Sequence, residues 1–411
     1  MRGVTATLAA LLALAPGGGP TAAGEWRAVL DVAGGGLRFG VNIERHQSRW
    51  RGRLCNGTEC QPFSRVAVAG DTVELEMADY AATITALAAG DSLVGNYRNV
   101  GNRGPRVIPF RAARGRWPAT AAPARLTGRW DAMWMSDFGT TPRVIELRNG
   151  KQGLEGTIVS NTGDYGHFAG QVRGDSFALT HFDGSYVYML TGAIGGGGGA
   201  PDTLRGLFHA GLRAQTPFVA VRSSGRPHLK SLTEITAADT TAPFRFGFPD
   251  LDGRMVTERD PRFAGKVVLV DVFGTWCPTC HDAAPELVAL HRKYRSRGLE
   301  IVGLAYEVSG DTAVDRRQLR RYRDKFGIRF PLLLAGINDT EAAAATLPQL
   351  QGFTSFPTTI FLGRDGRVRR IQAGFYGPAT GAQHAKQVRE WDAEVEKLLR
   401  EESPAAGRGT E

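Results

Sequence analysis

The chain has 411 residues, too many for one ordinary domain, and we expect two or three domains. Its apolar share of 42% is normal for a globular protein, so sizeable cores can be buried. The net charge of +9 does not indicate nucleic-acid binding, because the densest basic run, residues 316–326, keeps apolar residues at helical spacing and predicts the solvated face of an amphipathic helix.

The N-terminus, residues 1–23, has the pattern of a secretory signal peptide. One arginine precedes about a dozen apolar and small residues, and small residues surround Ala23. The run is too short to span a bilayer. An alanine-rich disordered tail is the alternative. Export predicts a mature chain that is periplasmic or secreted, where disulfides persist.

Residues 25–222 are predicted to be all-β and to contain the same unit twice, at 25–120 and 125–222. The two units align on a Gly-Asp turn and a Leu-x-Gly motif, and each opens on a tryptophan, Trp26 and Trp130. Alternating polarity and Gly-Asp or Asn-Gly turns predict antiparallel meanders. Two small barrels and one larger sandwich both remain open.

Two features of this β region concern residues that could carry chemistry. Cys55 and Cys60 flank an Asn-Gly turn, which favours a local structural disulfide after export, with a modest effect because the loop is short. His167 and His181 lie in a hairpin rich in tyrosine and phenylalanine, where packing is favoured over metal binding.

The pattern changes after residues 223–243, which have no periodicity and read as a linker. From residue 244 to 402 strands alternate with helices, which predicts an α/β domain with a parallel or mixed sheet. Residues 403–411 are predicted to be a disordered tail. The expected elements are strands at 266–273 and 299–307, helices at 279–297 and 312–326, a hairpin at 358–374 and a closing helix at 382–401.

The chemistry of the chain is predicted at a C-x-x-C motif, Cys277 and Cys280, between a buried strand and a helix. At a helix N-terminus the unpaired N–H groups and the dipole favour an anion, so Cys277 is the expected thiolate nucleophile. Cys280, one turn further in, can attack the mixed disulfide and release the product. Pro278 suits the first helical position, where its missing N–H costs nothing.

Two other interpretations of the cysteine pair are less favoured. Structural zinc normally needs four ligands, and residues 244–411 contain no second ligand pair with suitable spacing. A purely structural disulfide across so short a loop is the remaining alternative. We therefore expect a redox pair with no metal and no organic cofactor.

Residues 244–400 resemble the thioredoxin superfamily, and specifically its secreted TlpA/ResA-like branch of thiol–disulfide oxidoreductases. The resemblance rests on VVLVDVFGTWCPTC with Pro285, and on SFPTTIFLGRDGRV at residues 355–368. It covers a little over a third of the chain and leaves the β units without an assigned activity. It implies a thioredoxin-like α/β fold for this region.

The resemblance also implies roles for single residues. Pro357 matches the cis-proline that faces the disulfide and binds substrate backbone. Asp271 matches the buried carboxylate that handles the proton of the resolving thiol, and burial should raise its pKa toward neutral. Trp276 matches the aromatic residue that flanks the nucleophile. Pro285 matches a helix-kinking proline with a structural role.

Departures from the family pattern concern both the direction of electron flow and the range of substrates. The dipeptide Pro278-Thr279 replaces the Gly-Pro of thioredoxins, and Phe356 stands where a smaller residue is familiar, which would narrow the range of substrates. A protonated His281 near the nucleophile would make the disulfide more oxidising. The family favours reduction, and we expect a reductase.

The sequence thus predicts an exported thiol–disulfide oxidoreductase that reduces protein disulfides in the cell envelope. Its expected partners are envelope proteins with disulfides or dithiols, apocytochrome c among them, and a membrane thiol electron donor. A thiol peroxidase is one alternative. A binding or scaffold protein, in which the β units act and the disulfide is accessory, is another.

Overall fold

The computed structural model describes residues 22–101, 104–197, 200–226 and 228–402. The predicted signal peptide up to residue 21 and the predicted disordered tail from residue 403 lie outside these ranges. Ala22, at the end of the predicted signal peptide, is buried, and its carbonyl oxygen accepts a hydrogen bond from Trp26 Nε1 at 3.0 Å. No helix in the described ranges is long and apolar enough to cross a membrane.

The first β unit is an open antiparallel sheet. Its described residues form nine strands in the spatial order β4-β3-β2-β1-β9-β8-β7-β6-β5, which curl into a half-barrel with β4 and β5 at its edges. The strands β1 to β9 are Gly24–Val32, Gly35–His46, Arg49–Asn56, Glu59–Pro62, Arg65–Ala69, Thr72–Met77, Ala82–Ala89, Ser92–Gly101 and Gly104–Arg114.

The second β unit repeats this order and closes into a barrel. Its described residues again form nine strands, and β11 pairs with β12 as well as with β10, so that eight strands make a ring with β13 attached to β12. The strands β10 to β18 are Gly128–Ser136, Gly139–Gly150, Gly153–Ser160, Gly163–Asp164, Phe168–Arg173, Ser176–Phe182, Val187–Gly197, Ala200–Ala210 and Ala214–Arg222.

The internal repeat is visible in matching side-chain contacts. Trp26 and Trp130, near the start of the first strand of each unit, are buried, and each indole N–H donates to the carbonyl oxygen four residues earlier at 3.0 Å. An arginine of the last strand lies over each ring, Arg114 at 4.4 Å and Arg222 at 3.9 Å from the ring centroid. The two predicted β units are therefore related, and the alternatives resolve into one half-barrel and one closed barrel.

The repeated Leu-x-Gly motif has a steric cause. A Cβ atom at Gly95 would lie 1.9 Å from the carbonyl oxygen of Thr85 on the neighbouring strand, and one at Gly206 would lie 1.9 Å from that of Thr191. Only glycine fits such a close approach of two backbones.

The C-terminal domain is an α/β fold built on a five-stranded mixed sheet. The strand order is β24-β23-β22-β26-β27, with β22, β23 and β24 parallel and the last two strands antiparallel to their neighbours. The sheet strands β22, β23, β24, β26 and β27 are Val267–Phe273, Leu299–Glu307, Leu332–Ile337, Thr358–Leu362 and Val368–Ala373. The helices α1 to α4 are Pro278–Tyr294, Thr312–Phe326, Thr340–Thr346 and Ala382–Leu399.

Four short strands complete this region, and one of them, β19 (Ala237–Ala238), lies within the predicted linker. β19 pairs with β25, so part of residues 223–243 is packed against the C-terminal domain and does not form a free connection. Leu232 and Thr236 are buried there for the same reason. The short strands β19, β20, β21 and β25 are Ala237–Ala238, Gly247–Pro249, Met255–Thr257 and Leu350–Gln351.

Strand β22 lies at the centre of this domain and ends at the C-x-x-C motif. All seven of its residues are buried, because helices or loops cover both faces of the sheet. The basic helix α2 buries Leu319 and Tyr322, which confirms the interpretation of the basic run as the outer face of an amphipathic helix.

Candidate active site

The two cysteines of the motif lie at the N-terminus of α1. Cys277 is the N-cap residue, and its sulfur accepts a hydrogen bond from the backbone N–H of Cys280 at 3.2 Å. Pro278 occupies the first helical position, where it needs no hydrogen-bond acceptor. Both sulfur-bearing side chains are buried, with 2% and 1% of their surface exposed.

Cys280 is held in its protonated form. Burial raises its pKa well above the usual range, and the neighbouring Cys277 and Asp271 add to the rise. Cys277 Sγ lies 3.7 Å from the carbonyl oxygen of Phe356. The Phe356–Pro357 peptide bond is cis, and the carbonyl oxygen of Phe356, just before this proline, is the atom that Cys277 contacts.

Asp271 lies in β22 beneath the cysteine pair. Burial raises its pKa from 3.8 to about 7, and a hydrogen bond from Thr359 Oγ1 at 3.4 Å opposes part of that rise. A carboxyl group with this pKa can both accept and release a proton near neutral pH. Its influence on the pKa of Cys280 places it within electrostatic reach of that thiol.

A second buried carboxyl group, Glu307, was not predicted from the sequence. It ends β23 and accepts hydrogen bonds from the backbone N–H of Thr275 at 2.9 Å and from its hydroxyl at 2.6 Å. Burial raises its pKa to about 7, against the opposing effect of the two bonds from Thr275. The one signal in the sequence that could have identified Glu307 is its position as an acidic residue at the end of a buried strand. Glu307 holds the loop that leads into Cys277.

Aromatic residues surround the motif on the side of the cis-proline. Trp276 donates from Nε1 to the carbonyl oxygen of Tyr306 at 2.8 Å, which fixes the indole against β23. Phe356 packs against it edge to face, with ring centroids 5.7 Å apart. The two bulky residues beside the motif thus contact each other.

His281 does not supply a positive charge to the nucleophile. Its ring is buried, and burial, with a further effect of Lys325, lowers its pKa to about 4. Its Nε2 lies 2.7 Å from the carbonyl oxygen of Thr275 and its Nδ1 lies 3.2 Å from Lys325 Nζ. The idea of a protonated His281 that makes the pair more oxidising is therefore wrong, because a cation there would be both buried and next to another cation.

Both β units contact the motif region, and the sequence did not indicate this. From the second unit, Ser185 Oγ donates to the carbonyl oxygen of Trp276 at 3.2 Å. From the first unit, the ring of Tyr80 lies 5.0 Å from that of His281. These β residues have no motif of their own, and only the docking of the domains brings them to the site.

A cavity of about 520 Å³ lies where the three parts of the chain meet. The C-terminal domain contributes Pro278, Thr279 and Phe356 to its lining, and the β units contribute Tyr186 and Cys60 among others. The predicted residues that flank the redox pair therefore face a space that is shared with the β region.

The predicted β-region residues form packing and hydrogen-bond contacts. Cys55 and Cys60 are joined in a disulfide between the paired strands β3 and β4. His181 bonds to the carbonyl oxygen of His167 at 2.9 Å and to Asp183 Oδ2 at 3.1 Å. Among the described residues no group of three or more His, Cys, Asp or Glu side chains is arranged to hold a metal ion.

The Redoxin family model matches residues 236–384, which contain the cysteine pair, Asp271 and Pro357. The C-terminal domain belongs to the thioredoxin superfamily. Its match starts within the predicted linker, in agreement with the packing of β19 on this domain. The β units lie outside the matched residues.

Relatives of this thioredoxin-superfamily domain carry the name thiol-disulfide oxidoreductase ResA. The protein of Halalkalibacterium halodurans is 26% identical over 130 residues, which are 31% of this chain and 65% of that one. That of Geobacillus thermodenitrificans is 26% identical over 153 residues, 37% and 79% of the two chains. That of Bacillus thuringiensis is 28% identical over 123 residues, 30% and 62%. The matches support the predicted class, an oxidoreductase of the ResA/TlpA-like kind.

Solved structures of disulfide-exchange proteins also align with part of the chain. A thiol:disulfide interchange protein of the thioredoxin family from Chlorobium tepidum is 23% identical, covers 40% of this chain and 99% of its own, and has a TM-score of 0.30. A DsbF homologue from Corynebacterium diphtheriae is 18% identical, covers 41% and 96%, and has a TM-score of 0.29.

Proposed function

We propose that the protein is an exported thiol–disulfide oxidoreductase that reduces disulfides outside the cytoplasm. The observation that carries the proposal is the arrangement of three groups. Cys277 caps α1 and accepts the N–H of Cys280, and the buried carboxyl of Asp271 lies within electrostatic reach of the Cys280 thiol. This arrangement provides a nucleophile, a resolving thiol and a proton acceptor.

The first step uses Cys277 alone. Its thiolate attacks one sulfur of a substrate disulfide, the substrate S–S bond breaks, and a mixed disulfide forms while one substrate thiolate leaves. The helix N-terminus favours the negative charge on Cys277 before the attack. The carbonyl of Phe356, close to the attacking sulfur, marks the side from which the substrate approaches.

The second step needs a base, because Cys280 holds its proton strongly. Asp271 takes that proton, and the Cys280 thiolate attacks Cys277 Sγ and expels the second substrate thiolate. The dithiol is now a disulfide, and two electrons have passed to the substrate. A carboxyl pKa of about 7 lets Asp271 return the proton to solvent or to the leaving thiolate.

The proposed direction is reduction, and the uncharged His281 supports it. An imidazolium next to the motif would stabilise the thiolate and make the pair an oxidant, and burial prevents this charge. In this proposal the substrates are disulfide proteins of the cell envelope, such as apocytochrome c, and a membrane thiol protein restores the dithiol.

The reduction potential of the Cys277–Cys280 pair tests the proposal. It is measured in glutathione and dithiothreitol buffers with Cys55 and Cys60 replaced by serine, so that only one pair titrates. A value near or below about −250 mV supports a reductase, and a value near about −120 mV marks an oxidase. A pair that cannot be cycled would reject the exchange function and leave the β units as the active part. The Cys277→Ser variant is the control that must lose all exchange.

A further inference from the structure

The loop at residues 183–186, between β15 and β16, covers the motif, and we call it the cover loop. The first β unit holds it from one side. Three successive carbonyl oxygens of the loop, those of residues 183, 184 and 185, accept hydrogen bonds from Gln61 Nε2 at 2.7 Å, Tyr97 Oη at 3.0 Å and Arg106 Nη2 at 2.7 Å. The hydrogen bonds from Gln61 and Arg106 are partly buried, and the hydrogen bond from Tyr97 is buried.

The cover loop is also bonded internally. Asp183 Oδ1 accepts the backbone N–H groups of Ser185 and Tyr186, each at 2.7 Å. Just before the loop, the side chain of Asn56 donates to the carbonyl oxygen of Phe182 at 2.8 Å and accepts its N–H at 3.0 Å. The loop therefore has a fixed shape and does not behave as an open surface segment.

The other side of the cover loop lies on the reactive end of the C-terminal domain. Ser185 Oγ donates to the carbonyl oxygen of Trp276, the residue before the nucleophile. Tyr186 lines the cavity together with Pro278. Burial raises the pKa of Tyr186 well above its usual range, and the neighbouring Tyr188 and Cys277 add to the rise. Tyr186 thus lies within electrostatic reach of Cys277.

A second wall comes from the first β unit, on the side of α2. Asp79 forms an ion pair with Lys325 at 2.6 Å, and Gln318 Nε2 donates to the carbonyl oxygen of Ala78 at 3.1 Å. These contacts hold Tyr80 against His281 at the same cavity. Pro278, Thr279 and His281, which follow the nucleophile in the chain, thus line a space whose other walls come from both β units, while Cys277 itself is buried beside it.

We propose that this cavity is a binding site for a polar disulfide of low molecular weight, and that the cover loop keeps the disulfides of folded proteins away from Cys277. The inference rests on the proposed exchange function and departs from it in the substrate, which is a small disulfide in place of a protein disulfide. A volume of about 520 Å³ is that of a small-molecule site. A folded protein would have to displace a loop that three hydrogen bonds hold from the first β unit.

The proposed reaction uses only the dithiol and its ligand. The Cys277 thiolate attacks a disulfide RSSR, a Cys277–SR bond forms, and one RS⁻ leaves. The Cys280 thiolate then attacks Cys277 Sγ and expels the second RS⁻. Two electrons pass from the dithiol to RSSR, and the two thiol protons are transferred to the two RS⁻ groups, which leave as RSH.

The test compares two oxidants of the full-length protein in which the Cys277–Cys280 pair is reduced and the Cys55–Cys60 disulfide is kept. Oxidised glutathione is the small probe and insulin is the folded-protein probe, at equal disulfide concentration. Acid quench, alkylation and mass spectrometry follow the loss of the two thiols. We expect glutathione to react at least about tenfold faster than insulin.

Variants of the walls separate exclusion from intrinsic reactivity. Tyr186→Ala should raise the ratio of the insulin rate to the glutathione rate about tenfold, because it opens one wall to a large disulfide. Tyr80→Ala, on the opposite wall, should act in the same direction and keeps the test available if the first variant does not fold. Phe138→Ala, at a fully exposed position of the second β unit, is the matched control and should change neither rate.

Each outcome decides the inference. Equal rates for insulin and glutathione in the unsubstituted protein overturn it and leave the exchange function standing. A linear peptide disulfide that reacts faster than glutathione also overturns it, in favour of an unfolded polypeptide as the ligand. If neither probe reacts although iodoacetamide alkylates Cys277, both the inference and the proposed exchange function are overturned.

Discussion

The pH dependence of catalysis should follow the ionisation of one buried carboxyl group, that of Asp271. With a pKa of about 7, it is mostly protonated at pH 6 and mostly ionised at pH 8. Because the ionised form must accept the proton of Cys280, the release of the second substrate thiol should become faster as the pH rises through about 7. Asp271→Asn should slow this step about 100-fold and remove the inflection, as measured by single-turnover product release.

The neighbour of Asp271 provides a control for this prediction. The hydrogen bond from Thr359 lowers the pKa of Asp271, so Thr359→Val should move the inflection to higher pH while catalysis is retained. An inflection at the same pH in all three proteins would show that Asp271 is not the titrating group.

The burial of Asp271 should also lower the free energy of unfolding of the C-terminal domain at pH values where its carboxyl group is ionised. Burial raises the pKa of Asp271 from the ordinary value of 3.8 to about 7 in the folded chain, so the folded state binds the proton more tightly than the unfolded state. Stability therefore falls as the pH rises from about 4 to about 7, and the full penalty applies above pH 7. Asp271→Asn should raise the free energy of unfolding by a few kcal/mol at pH 8 and by little at pH 4. Alkylation of the buried Cys280 against urea concentration reports the unfolding of this domain. An equal effect at both pH values would contradict the prediction.

At the scale of elements, the loop between β22 and α1 depends on the end of β23. Thr275→Val removes the hydroxyl that donates to Glu307 at 2.6 Å. We expect the free energy of unfolding to fall by about 1–3 kcal/mol, because a buried carboxyl loses a donor. The loss should be larger at pH 8 than at pH 6, since the ionised carboxylate needs the bond more. Cys280 alkylation in urea measures it, and Thr240→Val, at an exposed position, is the control.

The hairpin of β3 and β4 should depend on its disulfide for stability and not for exchange. Replacement of Cys55 and Cys60 by serine should destabilise the hairpin by about 2 kcal/mol, because the closed loop is short. Hydrogen exchange of residues 49–62 should increase, while the reduction potential of the Cys277–Cys280 pair stays unchanged. A changed potential would mean that the hairpin disulfide takes part in the redox equilibrium.

At the scale of the whole molecule, close backbone contact joins the second β unit to the C-terminal domain. Gly163 has a φ of +124°, and a Cβ there would lie 2.3 Å from the carbonyl oxygen of Phe375. Gly163→Ala should push the two parts away from each other. If docking loses about 1.4 kcal/mol, the alkylation of Cys277 by iodoacetamide should become about tenfold faster.

Gly139→Ala is the matched control for this contact. Its φ of +110° brings similar backbone strain, and no atom of the described residues outside its chain neighbours lies within 4 Å of the added Cβ. It should leave the alkylation rate unchanged. Equal rates for both variants would show that the interface does not control access to Cys277.

The sequence alone determined the features that depend on local pattern. The bounds of strands β22 and β23, of helices α1, α2 and α4 and of the β26–β27 hairpin followed from buried runs and helical spacing, and they agree with the structure to within about three residues at each end. The repeat of the β units was visible because turns and tryptophans recur at matching positions. The candidate pair Cys277 and Cys280 was found for the same reason, since a strand, a C-x-x-C motif and a helix follow one another in the chain.

Only the tertiary structure decided what surrounds that pair. The second unit closes because β12 pairs with β14, whereas the corresponding strands β3 and β5 of the first unit do not pair among the described residues, and no local pattern in the chain specifies this difference. The neutral state of His281 depends on burial and on Lys325, which is 44 residues away. Ser185 and Trp276 are 91 residues apart and contact each other only because the domains dock. Such contacts arise from the fit of whole surfaces, so the sequence reveals the reactive groups and the tertiary structure decides what can reach them.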